Sequence, residues 1–433
     1  MSLIKELKET QWYSQQKIEE MQLRKLKHLI SYAYQHVLYY RNVFDQFGII
    51  PGDIKTFEDY KNIPFLSKED IQFNHQRFIA DNAKNYNFVT TSGSTGTPLT
   101  YPTNGKTKGY HIANMAFARS WWGINSNDKQ MLLWGRSGAM AEGKKGIINK
   151  IKMAVKDRVT NRLRCESYNL NDENLHNHYK KMSKFRPDFI YGFASSVYLF
   201  ADFIRRKELD MDKFSLKGII ITSELIFDKE RRIIESVFNA PVIDEYGMVE
   251  AGIIAYSCPE GTMHIMDPTI YVERIPVKNS KNSNIYEIVI TPFSNFVAPL
   301  IRYKTRDLVN YTDSSCSCGR SFSVLGKLIG RIYDLIQTKE GKRIAGEYIT
   351  DVLEYIPGIR QFQLIQENWS QFIFNIVKEP GIFKKDSEQK IVSKFKKILG
   401  DNISVSFKYV NSIASESSGK YKLVISKVTQ RNN

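Results

Sequence analysis

The chain has 433 residues, 42% hydrophobic and 12% aromatic, a composition that excludes a disordered protein and leaves room for two or three folded domains. A formal net charge of +16 favours acidic partners such as nucleotides, phosphorylated substrates or an anionic membrane surface, while no recognised motif for specific nucleic-acid binding accompanies it. Four cysteines do not make a disulfide scaffold, and no apolar run approaches the ~20 residues that span a bilayer. The N-terminal stretch is charged and helical rather than a signal peptide, so a cytoplasmic protein is expected.

Residues 3–47 read as helix, with Leu23, Leu26, Leu29, Ile30 and Ala33 at helical spacing, closed by Gly48 and Pro51-Gly52. Ser67 before Lys68-Glu69-Asp70 has the form of a helix N-cap with acids in the first turn. Phe88-Val89-Thr90 reads as a strand end, and Thr91-Ser92-Gly93-Ser94-Thr95-Gly96-Thr97-Pro98 follows it. Glycines there permit close backbone approach, and hydroxyls and amides supply donors, a combination suited to a polyphosphate. A serine- and glycine-rich surface linker has the same composition. Residues 106–122 read as helix and Met131–Gly135 as a buried strand.

Residues 143–164 form a basic stretch in which Ile147, Ile151, Val155 and Val159 recur at helical spacing among Lys144, Lys145, Lys150, Lys152, Lys156, Arg158, Arg162 and Arg164. This is either a solvated face over the core or an amphipathic helix for an anionic membrane or an acidic, lipid-linked substrate. From 186 onward strands (188–192, 216–222, 241–244) alternate with helices (197–206, 228–238), which predicts βαβ units and a largely parallel sheet. Ligands on such sheets bind beyond the carboxyl ends of the strands, where Ser223-Glu224 and Glu245-Tyr246-Gly247 are expected to face one pocket. After 261 the texture turns to short strands. Phe362–Gln366, Phe372–Val377, Lys385–Leu399 and Ile403–Val410 suggest a small α+β unit, with a boundary near Ile329 that divides the chain into 1–329 and 330–433.

Thr91–Pro98, Asp244-Glu245-Tyr246-Gly247-Met248-Val249-Glu250, Pro299–Asp307, Gly330-Arg331 and Ser418-Gly419-Lys420 occur in this order. Together they resemble the adenylate-forming enzymes: acyl-CoA synthetases, luciferases and nonribosomal peptide adenylation domains. Tyr39-Tyr40-Arg41 and Pro64–Lys68 are similar to the phenylacetate–CoA ligase branch, with its relatives in capsule and surface-polysaccharide gene clusters. The resemblance implies an α/β fold, a large adenylation domain with mostly parallel sheets followed by a small mobile α+β domain. It also implies a ligase that uses ATP and Mg²⁺ to turn a carboxylic acid into an acyl-AMP and passes the acyl group to CoA. In that reading Ser92, Gly93, Ser94, Thr95, Gly96 and Thr97 wrap the β- and γ-phosphates, and Glu250 holds Mg²⁺. Asp307 meets the ribose, and Ser223, Glu224, Glu245 and Tyr246 frame the adenine. Gly247 and Arg331 belong to the ATP site, and Lys420 serves the developing charge at the carboxylate and α-phosphate. Trp121, Trp122 and Trp134 are either lining for an aryl substrate or core.

Three positions depart from the family pattern: Val249 for threonine, Arg306 for glycine, and Tyr333 for the first of two aspartates, the hinge. The altered hinge keeps open an amine acceptor, and hence an amide product, in place of CoA. Cys258, His264, Cys316 and Cys318 form a second constellation, Cys-x5-His and Cys-x-Cys-Gly-Arg, suited to tetrahedral structural Zn²⁺ or else to ordinary burial. The phenylacetate–CoA ligase branch carries a similar arrangement. Cys165 reads as core.

Overall fold

A computed structural model describes residues 3–90, 99–134, 144–167, 170–277, 284–313, 315–331, 336–337, 343–344, 353, 356–379, 381–413 and 423–428. The N-terminal helices are α1 (Leu3–Thr10), α2 (Gln15–His36), α3 (Leu38–Phe47), α4 (Phe57–Tyr60) and α5 (Lys68–Phe73). Along α2 the spacing of Ile18, Met21, Leu26, Leu29, Ile30 and Ala33 puts them on one buried face, while Leu23 is half-buried. Ser67 and Asp70 make the reciprocal capping box that their spacing predicts at the start of α5.

A hairpin, β1 (Tyr86–Thr90) and β2 (Thr100–Asn104), leads into α6 (Gly105–Ser120). Then follow β3 (Gln130–Trp134), α7 (Lys144–Val159), β4 (Arg162–Glu166), α8 (Asp172–Phe185), β5 (Phe189–Phe193), α9 (Ala194–Arg206), β6 (Gly218–Thr222), α10 (Asp228–Phe238), β7 (Val242–Met248), β8 (Gly252–Ser257) and β9 (Met263–Ile265). The strands form a seven-stranded sheet in the order β4-β3-β5-β6-β7-β8-β9. It is parallel from β4 to β7 and antiparallel beyond. Every residue of β6, Gly-Ile-Ile-Ile-Thr, is buried, as a strand covered on both faces requires.

A second sheet, antiparallel, is made of β10 (Ile270–Pro276), β11 (Ile285–Pro292), β12 (Tyr303–Asn310) and β13 (Lys327–Arg331). The C-terminal part contains β14 (Ile336–Gln337), β15 (Arg343–Ile344), β16 (Ile359–Gln366), β17 (Gln371–Lys378), α11 (Lys385–Leu399), β18 (Ser404–Tyr409) and β19 (Val424–Ser426). Its sheet runs β18-β17-β16-β19, and Ile391 and Phe395 of α11 cover it with a core of their own. Among the described residues the larger part has two main cores, besides a small cluster of Ile285, Leu308 and Ile329. One joins the N-terminal helices to both sheets, and the other lies between the first sheet and α8, α9 and α10.

Two sequence readings need correction. Residues 162–164 are not helix: Asn161 takes a left-handed φ of 47° that ends α7, and Arg162–Glu166 pairs in parallel with β3 as the edge strand. Arg164 then turns back on Asp157 of α7 at 3.0 Å. Glu245, Tyr246 and Gly247 lie within β7 rather than beyond its end, because antiparallel pairing with β8 carries the strand on to Met248.

The C-terminal part docks against α9 and α10. Asp202, 1% exposed, accepts from Arg205 and Arg206 of its own helix and from Arg360 Nε of β16 at 3.0 Å. Tyr198 donates to the Arg360 carbonyl at 3.4 Å, and Phe227 packs on Phe362 with ring centroids 6.4 Å apart. One buried carboxylate thus gathers three guanidinium groups across the seam.

Candidate functional site

The carboxyl edge of the parallel sheet brings the predicted segments together. Thr222 of β6 is in register with Glu245 of β7, so Ser223-Glu224 emerges beside Tyr246. Ser223 holds a φ of +70°, a strained backbone for a residue with a side chain, and such strain concentrates at functional positions. Glu224 accepts from the Ser195 amide at 2.9 Å, placing a carboxylate at the N-terminus of α9 where the helix dipole favours it.

Tyr246 reaches from the first sheet to the second, donating to Asp307 Oδ2 at 2.7 Å, with both residues buried. In the second sheet Asp307 stands opposite Arg331 in the β12–β13 ladder. Glu250, 7% exposed, follows in the turn after β7. Burial raises the hydroxyl pKa values of Tyr101 on β2 and Tyr303 on β12, and the Glu250 carboxylate pushes both further up. Thr90 and Thr100 pair at the end of the β1–β2 hairpin that leads to the glycine-rich segment. That segment, with Ser92, Gly93, Ser94, Thr95, Gly96 and Thr97, lies outside the described residues, as do Tyr333, Lys420 and the Arg331 side chain.

Arg306, which replaces a family glycine next to Asp307, directs its guanidinium to Glu69 of α5, and its backbone takes a φ of +66°. Val249, in place of the family threonine, is 50% exposed. Trp121 and Trp122 pack against the main core, and the Trp122 indole donates to the Ser257 carbonyl at 2.8 Å. Trp134 stacks on Tyr191 and lies 4.3 Å from Phe193, ring centroid to centroid.

The cysteine–histidine constellation assembles from three places in the sequence. Ligand atoms of Cys258, His264, Cys316 and Cys318 all lie within 4.8 Å of one another. Cys258 Sγ is 3.6 Å from Cys316 Sγ, and His264 Nε2 is 3.3 Å from Cys318 Sγ. The opposite ring nitrogen, Nδ1, is 2.7 Å from the Phe322 carbonyl, which orients the imidazole as a ligating histidine needs. Burial pushes the Cys258 thiol up; at Cys316 burial acts the same way but is outweighed by hydrogen bonds from Thr262, Cys318 and His264, which bring it down. Three sulfurs and one imidazole at this spacing fit tetrahedral Zn²⁺. Cys165 is core, its thiol pushed up to about 12 by burial.

Among the described residues no helix is long and apolar enough to cross a membrane. Residues 336–427 match a family model described as the CapK C-terminal domain. CapK of Staphylococcus aureus is 23% identical over 411 residues, covering 94% of this chain and 89% of that protein. A phenylacetate–coenzyme A ligase of Aromatoleum evansii is 25% identical, covering 75% of this chain and 72% of the other. Among solved structures, 2-hydroxyisobutyryl-CoA ligase in the postadenylation state, in complex with an acyl-AMP, superposes with a TM-score of 0.77 at 19% identity, covering 96% of this chain and 91% of that one. The same ligase in its thioesterification state gives 0.60 at 18% identity. The chain thus has the adenylate-forming fold, and its sequence relatives lie on the branch shared by CapK and the phenylacetate–coenzyme A ligases.

Proposed function

We propose that this protein is an AMP-forming ligase. A substrate carboxylate oxygen attacks the α-phosphorus of ATP, the bond to the β-phosphate bridging oxygen breaks, and acyl-AMP and pyrophosphate result. The observation that carries the reading is the hydrogen bond from Tyr246 to Asp307, two buried residues that join the two sheets. Bringing two anions together is mainly a matter of positioning and electrostatics. Asp307 accepts from ribose hydroxyls, Ser223, Glu224, Tyr246 and Gly247 border the base, and the 92–97 segment and Arg331 meet the phosphates. Lys420 brings an ammonium to the reacting oxygens. Glu250, a buried carboxylate, suits a hard cation, and Mg²⁺ held there would neutralise phosphate charge. Residues 1–329 would form the nucleotide- and acid-binding unit and 330–433 the lid. CoA is named in the phenylacetate–coenzyme A ligase and 2-hydroxyisobutyryl-CoA ligase relatives, and we take it as the acceptor here. The Tyr333 hinge substitution supports a second reading, an amine acceptor and an amide product in surface-polysaccharide assembly.

Acid-dependent exchange of labelled pyrophosphate into ATP tests the first step. Exchange with at least one acid of a broad panel is expected, and Lys420→Ala should lower it by at least about a hundredfold, the scale of removing one electrostatic donor. Silence across the panel refutes the assignment. Thioester formation against hydroxamate-trappable adenylate that CoA leaves untouched separates the acceptors.

The same reading extends to a peripheral contact of the protein with an anionic membrane, where a lipid-linked acceptor would sit. Ile148, Ile151, Val155 and Val159 form one stripe of α7, and all are half or more exposed, Val159 to 78%. Exposed Lys152 and Lys156 flank the stripe on one side and Arg158 on the other. An apolar stripe between cations is the pattern of an interfacial helix, and the stripe distinguishes it from a nucleic-acid face. Co-flotation with phosphatidylglycerol-containing vesicles is expected, weak on phosphatidylcholine alone. Ile151→Asp/Val155→Asp should reduce it at least tenfold. Equal flotation of the double variant contradicts the contact.

A further inference from the structure

Arg119 closes α6 at 8% exposure with its guanidinium over two rings of β5, 5.2 Å from the centre of Phe189 and 4.9 Å from that of Tyr191. Stacking holds the group in place, yet its Nε and one Nη have no hydrogen-bond partner. Glu245, also 8% exposed, accepts from Tyr191 at 2.7 Å through Oε1 and leaves Oε2 unmet. Tyr191, beneath the Arg119 guanidinium and bonded to Glu245, links the two; burial raises the Glu245 pKa and Arg119 draws it back. Fully buried Tyr256 borders it: burial pushes its hydroxyl pKa up, Glu245 pushes it further, and Arg119, near enough to interact with the hydroxyl, draws it back.

Each unmet buried polar group costs about 1–3 kcal/mol, more when charged. Three such atoms on two opposite charges mark a place that a further polar group could complete. A structural ion pair would close these gaps, but neither orphaned nitrogen bonds the orphaned oxygen. Their place in the fold gives the reason. Glu245 is adjacent to Tyr246 on β7, and side chains alternate along a strand, so Tyr246 turns to Asp307 while Glu245 turns to the other side of the sheet. The cluster therefore lies one residue from the nucleotide site proposed above, against the helix that follows the hairpin.

We propose that Arg119, Glu245, Tyr191 and Tyr256 form the distal end of the acid pocket, and that the carboxylic acid activated here carries, remote from its carboxylate, a hydroxyl or carboxamide that accepts from Arg119 and donates to Glu245. This assignment rests on the adenylation reading above and moves Glu245 from the adenine to the acyl group. An acid ending in an unsubstituted ring or alkyl chain would leave the buried charges unpaired, which such sites punish by up to about 10⁴-fold.

Pyrophosphate exchange with matched acids tests it: phenylacetate against 4-hydroxyphenylacetate, and pentanoate against succinamate. The polar member of at least one pair is expected to be favoured tenfold or more in kcat/KM. Arg119→Met should collapse that ratio toward one, chiefly through KM for the polar acid. Glu245→Gln, which keeps shape and volume, should lower the ratio as well and guards against misfolding of the first variant; thermal melting is recorded for both. A loss of stability alone would lower both members equally and leave the ratio in place. Exchange that favours the apolar member of each pair, or a ratio unmoved by both variants, overturns the pocket assignment and leaves adenylation standing. Failure of every acid to support exchange removes the adenylation reading and this assignment together.

Discussion

Arg302→Ala is expected to destabilise the larger part of the protein by about 3–5 kcal/mol, the cost of leaving a buried charge without its partner. Arg302 and Glu273 are each 6% exposed in their side chains and form a two-point pair, Nη2 to Oε1 at 2.8 Å and Nε to Oε2 at 3.1 Å. The remaining nitrogen, Nη1, donates to the carbonyls of Lys61 and Ile63, and the guanidinium stacks 4.2 Å from the centre of the Phe65 ring. At the backbone, Leu66 donates to the Arg302 carbonyl at 2.9 Å. One side chain thus clamps the segment after α4 onto the second sheet. A φ of +53° strains the residue further, so the fold accepts a backbone cost to aim it. Arg302→Lys should recover only a minor share, because an ammonium does not reproduce the planar fork.

This loss should depend on pH. Burial raises Glu273 above its ordinary 4.5 and Arg302 draws it back, so removing Arg302 raises it further. A carboxylate whose folded pKa exceeds its unfolded value adds stability below the unfolded pKa and loses it as pH rises through the folded one. The variant's deficit is therefore expected to be smallest near pH 4.5 and to grow toward pH 8. Urea unfolding of wild type and variant at several pH values checks this; a deficit below about 1 kcal/mol throughout would show that the pair is dispensable.

The second large effect is expected at the cysteine–histidine cluster. Wild-type protein should hold about one zinc per chain, and Cys318→Ser or prolonged chelation should remove it with a marked fall in melting temperature, because structural zinc is folding free energy. The four residues tie the end of β8, β9 and the 316–318 loop into one knot, with Trp121 6.1 Å from the His264 ring, centroid to centroid. A variant with full metal content and unchanged melting would refute the site. Pyrophosphate exchange measured before thermal loss should be little altered, as no cluster residue belongs to the nucleotide site proposed above.

What was legible in the chain follows the range of the forces involved. The Ser67–Asp70 box and the span of α10 depend on neighbours within a few positions, so local chemistry determines them. Strand identity is less local. Arg162 and Arg164 continue the basic periodicity of α7, and it is the open edge of β3 that draws them into a strand. Likewise β8 prolongs β7 through Tyr246, which no feature of residues 241–244 announces. The exposed stripe of α7 reads in sequence like any amphipathic helix, and only the fold decides that no core meets it.

By itself the sequence determined the alternation of strand and helix, the ordered motifs, and the four donors of one soft-ligand set, because these rest on residue type and spacing. Tertiary structure decided which groups meet. It drew Cys258 to Cys316, 58 positions away, and His264 to Cys318, 54 positions away, and it paired Arg306 with Glu69. It set Tyr246 against Asp307 across two sheets, and it buried Arg119 beside Glu245, where the cost of an unmet charge becomes a statement about the ligand. Burial and long-range pairing create those energies, and neither exists until the chain has folded.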